Sequence, residues 1–346
     1  MRPVNARKLV ASLVAVSLLV AACGTTAVPP SGGTAAPPGT ASAATPSSPA
    51  PPASAVAGTS PAAPPLASPS LGATSAPAAT TSAAGVPDFA HVYVIVMENR
   101  GYADIVDNPA APYLNGLLNR YASLTDMFGE THPSEPNYIA LFSGSTQGVS
   151  SDGVYNLGAR NLVDQLAAHG RTWRVFAQNV PGGCYTGYAA SGGPDGAGTY
   201  ARKHEPAISF TDISGDPARC ANITGFAHFS PAAADFELII PNLCNDMHDC
   251  STATGDAFLA AFVPRIVDSA AFADSVLFIT WDEGTTNAYG GGRIATAVVS
   301  PLVKPGSVDP QLLHHYAILR TIEDAWGLGC LGQACAAPNL ARLFRG

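Results

Sequence analysis

His91-Val92-Tyr93-Val94-Ile95-Val96-Met97, followed at once by Glu98-Asn99, decides the fold. A run of β-branched and aromatic residues with no polar alternation reads as a strand buried on both faces. The abrupt change to a carboxylate and an amide marks the strand's C-terminal end. The same grammar recurs at Ser275 to Thr280, which ends in Trp281-Asp282-Glu283, and at Phe236 to Ile240, which ends in Pro241-Asn242. Thr172 to Ala177 and Ile294 to Ser300 supply two more strands. Between them, Tyr113 to Tyr121, Asn161 to His169, Gly255 to Phe272 and His315 to Trp326 read as helices, with Pro264 expected to kink or split the third. Apolar strands alternating with helices predict an α/β fold: a three-layer αβα sandwich around a mostly parallel central sheet. In such sheets ligands bind beyond the carboxyl ends of the strands, where the polar residues of this chain collect.

Outside that region the composition changes completely. Arg2, Arg7 and Lys8 precede an apolar run from Leu9 to Val20, and Val20-Ala21-Ala22-Cys23 resembles a lipobox. Residues 1–22 are therefore expected to be a lipoprotein signal peptide, with Cys23 the acylated first residue after cleavage. Residues 23–86 are almost wholly Ala, Pro, Ser, Thr and Gly. They cannot bury enough apolar surface to offset ordering entropy, so a disordered tether is expected, extended by about 3 Å per residue where polyproline-like. The expected localisation is export, with the protein lipid-anchored on the outer face of the membrane or secreted. Residues 87–346 then form one domain. The whole chain has 17 basic and 25 acidic residues; with the three leader cations removed, 14 basic face 25 acidic, a net charge near −11. Such a domain is poorly suited to nucleic acid, and an anionic substrate must be attracted by a local site. Cys184, Cys220, Cys244, Cys250, Cys330 and Cys335 form an even set, as disulfides in an exported protein require. Cys244 with Cys250 and Cys330 with Cys335 could each close a small loop, leaving Cys184 with Cys220; spacing alone does not fix the pairing.

The densest chemistry lies in Glu130-Thr131-His132-Pro133-Ser134-Glu135-Pro136-Asn137-Tyr138, placed between expected helices. Two prolines stiffen the backbone, and a stiff turn that presents a hydroxyl suits a nucleophile once a base or metal lowers its pKa. Glu98-Asn99 and Asp282-Glu283 offer hard oxygen donors just past buried strands. Adjacent carboxylates at a strand end repel and call for a cation, although either pair alone could be a plain helix cap. Lys203-His204 places an ammonium beside an imidazole, and both can donate to a phosphoryl oxygen. His248 sits between Cys244 and Cys250, and His314-His315 opens a helix.

At these segments the chain resembles the bacterial phosphoesterase family of the alkaline-phosphatase-like superfamily, which holds acid phosphatases and bacterial phospholipases C. Within it the likeness is to secreted acid phosphatases of the phosphatidylinositol-3-phosphatase type. The likeness rests on Phe89-Ala90-His91 leading to Glu98-Asn99-Arg100, on the Glu130–Tyr138 segment, and on Tyr200-Ala201-Arg202-Lys203-His204. It continues through Ile240-Pro241-Asn242, Asn245-Asp246-Met247-His248-Asp249, Thr280-Trp281-Asp282-Glu283 and His315-Tyr316. The resemblance implies that Glu98, Asn99, Thr131, Asp282 and Glu283 bind a divalent metal ion, whose identity the sequence does not set. It implies Thr131 as nucleophile through a phospho-threonine, with Ser134 as the rival hydroxyl. It implies His204, His248 and His132 as catalytic groups and Lys203, His315 and Asn137 as substrate contacts. The implied substrate is a phosphate monoester, with a phosphoinositide as candidate. Alternatives are a phosphodiesterase of the phospholipase C type, or a surface lipoprotein that binds phosphate esters without turnover.

Overall fold

The computed structural model describes residues 85–345. The expected signal peptide, the lipidation site at Cys23 and all but the end of the tether lie outside the described residues. Val86 is already buried in the core, one residue before the expected start of the domain.

The elements follow in chain order: β1 (Val92–Met97), α1 (Tyr102–Ile105), α2 (Pro112–Arg120), β2 (Ala122–Phe128), α3 (Ser134–Ser143), α4 (Leu162–Ala168), β3 (Trp173–Ala177), β4 (Ala189–Ser191), β5 (Thr199–Ala201), α5 (Thr211–Ser214), α6 (Pro217–Cys220), β6 (Ile223–Thr224), β7 (Phe236–Ile240), α7 (Thr252–Phe262), α8 (Pro264–Val267), β8 (Val276–Trp281), β9 (Arg293–Val299), β10 (Ser307–Asp309), β11 (Leu313–His314) and α9 (His315–Trp326). The main sheet has the order β10-β2-β9-β8-β1-β7-β3-β6, with β11 paired to β2. Within this sheet every pairing is parallel except those of β9, which runs against both β8 and β2. The fold is thus α/β with a mixed, mostly parallel sheet. Every residue of β1, β7 and β8 is buried, so both sheet faces are covered. Helices pack on it in pairs, α2 with α7 and α3 with α9.

One expectation needs correction. The Glu130–Tyr138 segment follows a strand, β2, and not a helix. Polar Thr125 and Asp126 interrupt the apolar pattern there, and the register with β9 shifts between Leu124 and Met127, a bulge that hides the alternation. As expected, Pro264 splits the long helix, here into α7 and α8, because it lacks an N–H. The disulfides pair Cys184 with Cys220, Cys244 with Cys250 and Cys330 with Cys335.

The topology collects one edge. In register, Met97 lies beside Trp281, so Glu98 and Asp282 leave adjacent parallel strands together. The Asp282 amide donates to the Met97 carbonyl (3.0 Å) and the Glu98 amide to the Asp246 carbonyl (2.8 Å), tying in the loop after β7. Because β9 is antiparallel, its first residue, Arg293, pairs with Phe128 at that same edge.

Candidate active site

Helix α3 delivers two hydroxyls to one carboxylate. Ser134 opens the helix and Tyr138 lies four residues on, one turn away on the same face. Ser134 Oγ donates to Glu98 Oε2 (3.1 Å), and the Tyr138 hydroxyl donates to Glu98 Oε1 (2.6 Å). Ser134 also lies close enough to Asp282 to lower its pKa. Asn99 donates its amide hydrogen to Asp282 Oδ1 (3.1 Å) and its side-chain Nδ2–H to Glu98 Oε2 (3.0 Å). Asn99 adopts a positive φ of 49°, a left-handed conformation that asparagine tolerates better than most residues and that folds it back toward both acids.

His204 forms the next wall. It is buried, stacks on Tyr138 at 5.3 Å, and sits between Glu98 Oε1 (3.1 Å from Nε2) and Asp246 Oδ2 (3.3 Å from Nδ1). Burial, with Lys203 and His248 nearby, holds its pKa well below the usual range, so its imidazole is neutral. Lys203 Nζ meets Asp152 (2.9 Å) and His248 Nε2 (3.3 Å), and His248 Nδ1 meets Asp249 (2.7 Å). The Cys244–Cys250 bridge closes the loop that carries His248.

On the other flank His132 bridges Glu283 (2.8 Å from Nδ1) and the Thr286 carbonyl (2.9 Å from Nε2). Partial burial pulls its pKa down, but the carbonyl and the carboxylate outweigh it and the net shift is upward, which favours the imidazolium.

The buried acids disturb one another. Burial, then Asp282 and Asp246, push Glu98 well above the carboxylate range. Burial also raises Asp246 to about 8, Asp282 to about 6 and Glu283 to about 7, the last with help from Asp282. Asp246 Oδ2, Asp282 Oδ2 and His204 Nε2 are buried without a hydrogen-bond partner among the described residues. Such unpaired buried ligand atoms grouped about Glu98 fit a cation. Donor atoms of Glu98, His204 and His248 also lie within 4.8 Å of one another.

Several expected site residues make other contacts in the structure. Thr131 Oγ1 donates to the carbonyl of its neighbour His132 (3.2 Å), whereas Ser134, the rival hydroxyl, meets Glu98. Asn137, expected to touch substrate, is buried and clamps the turn: it accepts from the amides of Glu130 (2.9 Å) and Thr131 (3.1 Å) and donates to the Thr131 carbonyl (2.8 Å). His315, also expected to touch substrate, is buried between Glu130 and the Trp281 carbonyl (2.7 Å), so it braces the strand end ahead of Asp282. Gly129 explains the close approach of the two loops, because a Cβ there would lie 2.8 Å from the Asp282 carbonyl. Sequence reading gave no role to Tyr138, Asp246 or Asp152. The i to i+4 spacing from Ser134 could have found Tyr138; nothing local distinguishes Asp152 from a loop aspartate.

Comparison with known proteins follows the same line. The Phosphoesterase family model matches residues 105–329. The chain is 35% identical over 265 residues to a phosphatidylinositol-3-phosphatase of Mycobacterium tuberculosis, covering 76% of this chain and 85% of that one. It is 28% identical over 242 residues to a phosphate-repressible acid phosphatase of Penicillium chrysogenum, covering 66% of this chain and 58% of that one. Among solved structures it is similar to a protein in the alkaline phosphatase superfamily from Vibrio parahaemolyticus, at 11% identity and a TM-score of 0.49 over 73% of this chain and 69% of that one. With two thirds of its length matched by the family model, and with a relative above 30% identity along most of both chains, this protein belongs to the phosphoesterase family.

Proposed function

We propose that this chain is an exported, lipid-anchored phosphomonoesterase that works through a covalent phosphoryl-enzyme, with Ser134 as the nucleophile in place of the expected Thr131. One observation carries the reading: the Ser134 hydroxyl, at the N-terminus of a ten-residue helix, is hydrogen-bonded to Glu98 and lies close enough to Asp282 to lower its pKa. The family's named acid phosphatases and the mycobacterial phosphoinositide phosphatase support the monoester class. The leader and Cys23 support export and anchoring.

Glu98, Asn99, Asp282 and Glu283, with the Ser134 oxygen, would hold a divalent cation, and His204 and His248 would border it. The fit rests on the unpaired buried oxygens and on mutual repulsion among the acids. When bound, such an ion lowers the pKa of a neighbouring hydroxyl and offsets phosphoryl charge. The protein supplies the rest. Ser134 Oγ, held by Glu98, gives its proton to that carboxylate and bonds to phosphorus as the bond from phosphorus to the alcohol oxygen breaks. The first amides of α3 and the Lys203 ammonium face negative charge on the phosphoryl group. His132, kept protonated by Glu283 and the Thr286 carbonyl, gives its proton to the departing alcohol. Water then cleaves the phospho-serine.

Phosphate release from p-nitrophenyl phosphate, a phosphoinositide and phosphatidylcholine tests the assignment in the wild type, Ser134→Ala and Thr131→Ala, before and after metal depletion. Monoester turnover lost only in Ser134→Ala and in depleted enzyme is expected. Loss in Thr131→Ala with retention in Ser134→Ala overturns the assignment, and preferential turnover of phosphatidylcholine would favour the phospholipase C reading.

A further inference from the structure

A second cavity, of about 240 Å³, opens between the loops that follow β1 and β8. Gly101, Tyr102, Asp104, Thr285, Thr286 and Arg293 line it. Gly101 lies two residues past Asn99, and Thr285 two residues past Glu283, so the cavity adjoins the edge that carries the proposed cation ligands. The carbonyl of Thr286 is the group that holds His132 Nε2, so the proposed proton donor sits on the boundary between site and cavity.

The lining is neither apolar nor of a single charge. The Arg293 guanidinium stacks on the Tyr102 ring, 3.8 Å from its centre, and is fixed by Nε donating to the Thr125 carbonyl (2.7 Å). Asp104 accepts the Gly101 amide hydrogen at 2.9 Å with one oxygen. Thr285 and Thr286 are exposed and add two hydroxyls. A guanidinium, a carboxylate and two hydroxyls lining one small space provide donors and acceptors for neutral hydroxyl groups. A bare anion would meet Asp104, and the apolar wall is limited to the Tyr102 ring, Ala103 and the carbon atoms of the polar residues. The volume falls below the roughly 300–1,000 Å³ of sites for drug-sized ligands, which leaves room for one small ring or a short chain.

We propose that this cavity is the leaving-group subsite, selecting monoesters of polyhydroxylated alcohols, such as sugars, glycerol or cyclitols, over esters whose alcohol carries no further hydroxyls. The inference rests on the phosphomonoesterase reading. With phosphorus at Ser134 and the ester oxygen facing His132, the alcohol's carbon frame extends past Thr286 into the cavity, where its hydroxyls meet Arg293, Asp104 and Thr285. Contacts to the leaving group that persist into the transition state appear in kcat/KM and depend on the alcohol.

The test compares kcat/KM for glycerol phosphate and a hexose phosphate with that for phenyl phosphate, whose alcohol offers no second hydroxyl, in the wild type, Arg293→Lys and Thr285→Val. Thr285 is exposed on a loop, so its variant is not threatened by misfolding should Arg293→Lys disturb the Thr125 contact. The ratio of polyol ester to phenyl ester is expected to fall about tenfold in Arg293→Lys and about threefold in Thr285→Val, mainly through KM for the polyol esters. Ratios within twofold of wild type in both variants overturn the subsite. Absence of turnover of every monoester by the wild-type, metal-supplemented protein overturns the phosphomonoesterase reading instead, so the two failures are distinct.

Discussion

Buried carboxylates occur in two settings in this molecule, and their company separates them. Away from the site, Glu237, Glu323 and Glu205 are each enclosed by the fold, and each accepts backbone N–H groups: from Ala234 (3.2 Å) for Glu237, Leu331 (2.7 Å) for Glu323, and Ala207 (2.9 Å) and Ile208 (3.1 Å) for Glu205. Burial raises all three to about 7. One oxygen each of Glu237 and Glu323 lacks a partner, a state that a proton satisfies. At the C-terminal edge of the sheet, Glu98 is instead pushed up by Asp282 and Asp246 as well as by burial, and His204 sits between it and Asp246. Protonation suits an isolated buried acid, whereas a cluster of them suits a cation. The difference teaches that burial of an acid does not mark a site; convergence does.

Substitutions that treat the two settings alike sharpen the contrast. The largest effect is expected from the hydroxyl that the cluster holds. Ser134→Ala should lower kcat by roughly a thousandfold or more, as removal of a nucleophile does, while Thr131→Ala stays within about tenfold. Next, Asp282→Asn should reduce kcat/KM by about a hundredfold or more and remove the rise in Tm that a divalent cation gives the wild type. Glu323→Gln, an acid of the isolated kind, should retain both; matched losses in the two variants, read by calorimetry with and without cation, would erase the distinction. His132→Asn should slow monoesters of ordinary alcohols by about a hundredfold, with a smaller effect on p-nitrophenyl phosphate, whose leaving group needs no proton. Equal losses on both substrates would remove His132 as the acid.

The smallest effect concerns pH. The folded pKa of Glu237, about 7, lies above its unfolded value near 4.3, so the folded state binds the proton more tightly. Its contribution is complete below about pH 4 and is lost as pH rises through about 7. The wild type should therefore weaken between pH 5 and pH 8, and Glu237→Gln should recover about 2 kcal/mol at pH 8 while changing little at pH 5. Urea midpoints at the two pH values check this, and an unaltered pH slope in the variant would refute it.

Much of the sheet was legible because its strands are buried on both faces and stop at polar pairs. Strand β1 with Glu98-Asn99 and β8 with Asp282-Glu283 announce themselves, and parallel pairing then obliges them to meet. Strand β2 was not legible, because a bulge and two polar residues break its pattern. The choice between Thr131 and Ser134 was not legible either. Both hydroxyls stand in one short turn, and the direction each takes depends on where α3 begins and on the Asn137 clamp, which involves backbone groups that no residue pattern records. His315 looked like a ligand for substrate because it opens a helix; its burial against Glu130 and the Trp281 carbonyl is a tertiary fact.

The central claim is that the Ser134 oxygen, held by Glu98, attacks phosphorus. Rapid acid quench of the enzyme during turnover of a phosphate monoester, followed by peptide mass spectrometry, tests it most directly. The account predicts a phosphoryl group on Ser134. The same modification on Thr131, with Ser134 unmodified, would contradict it.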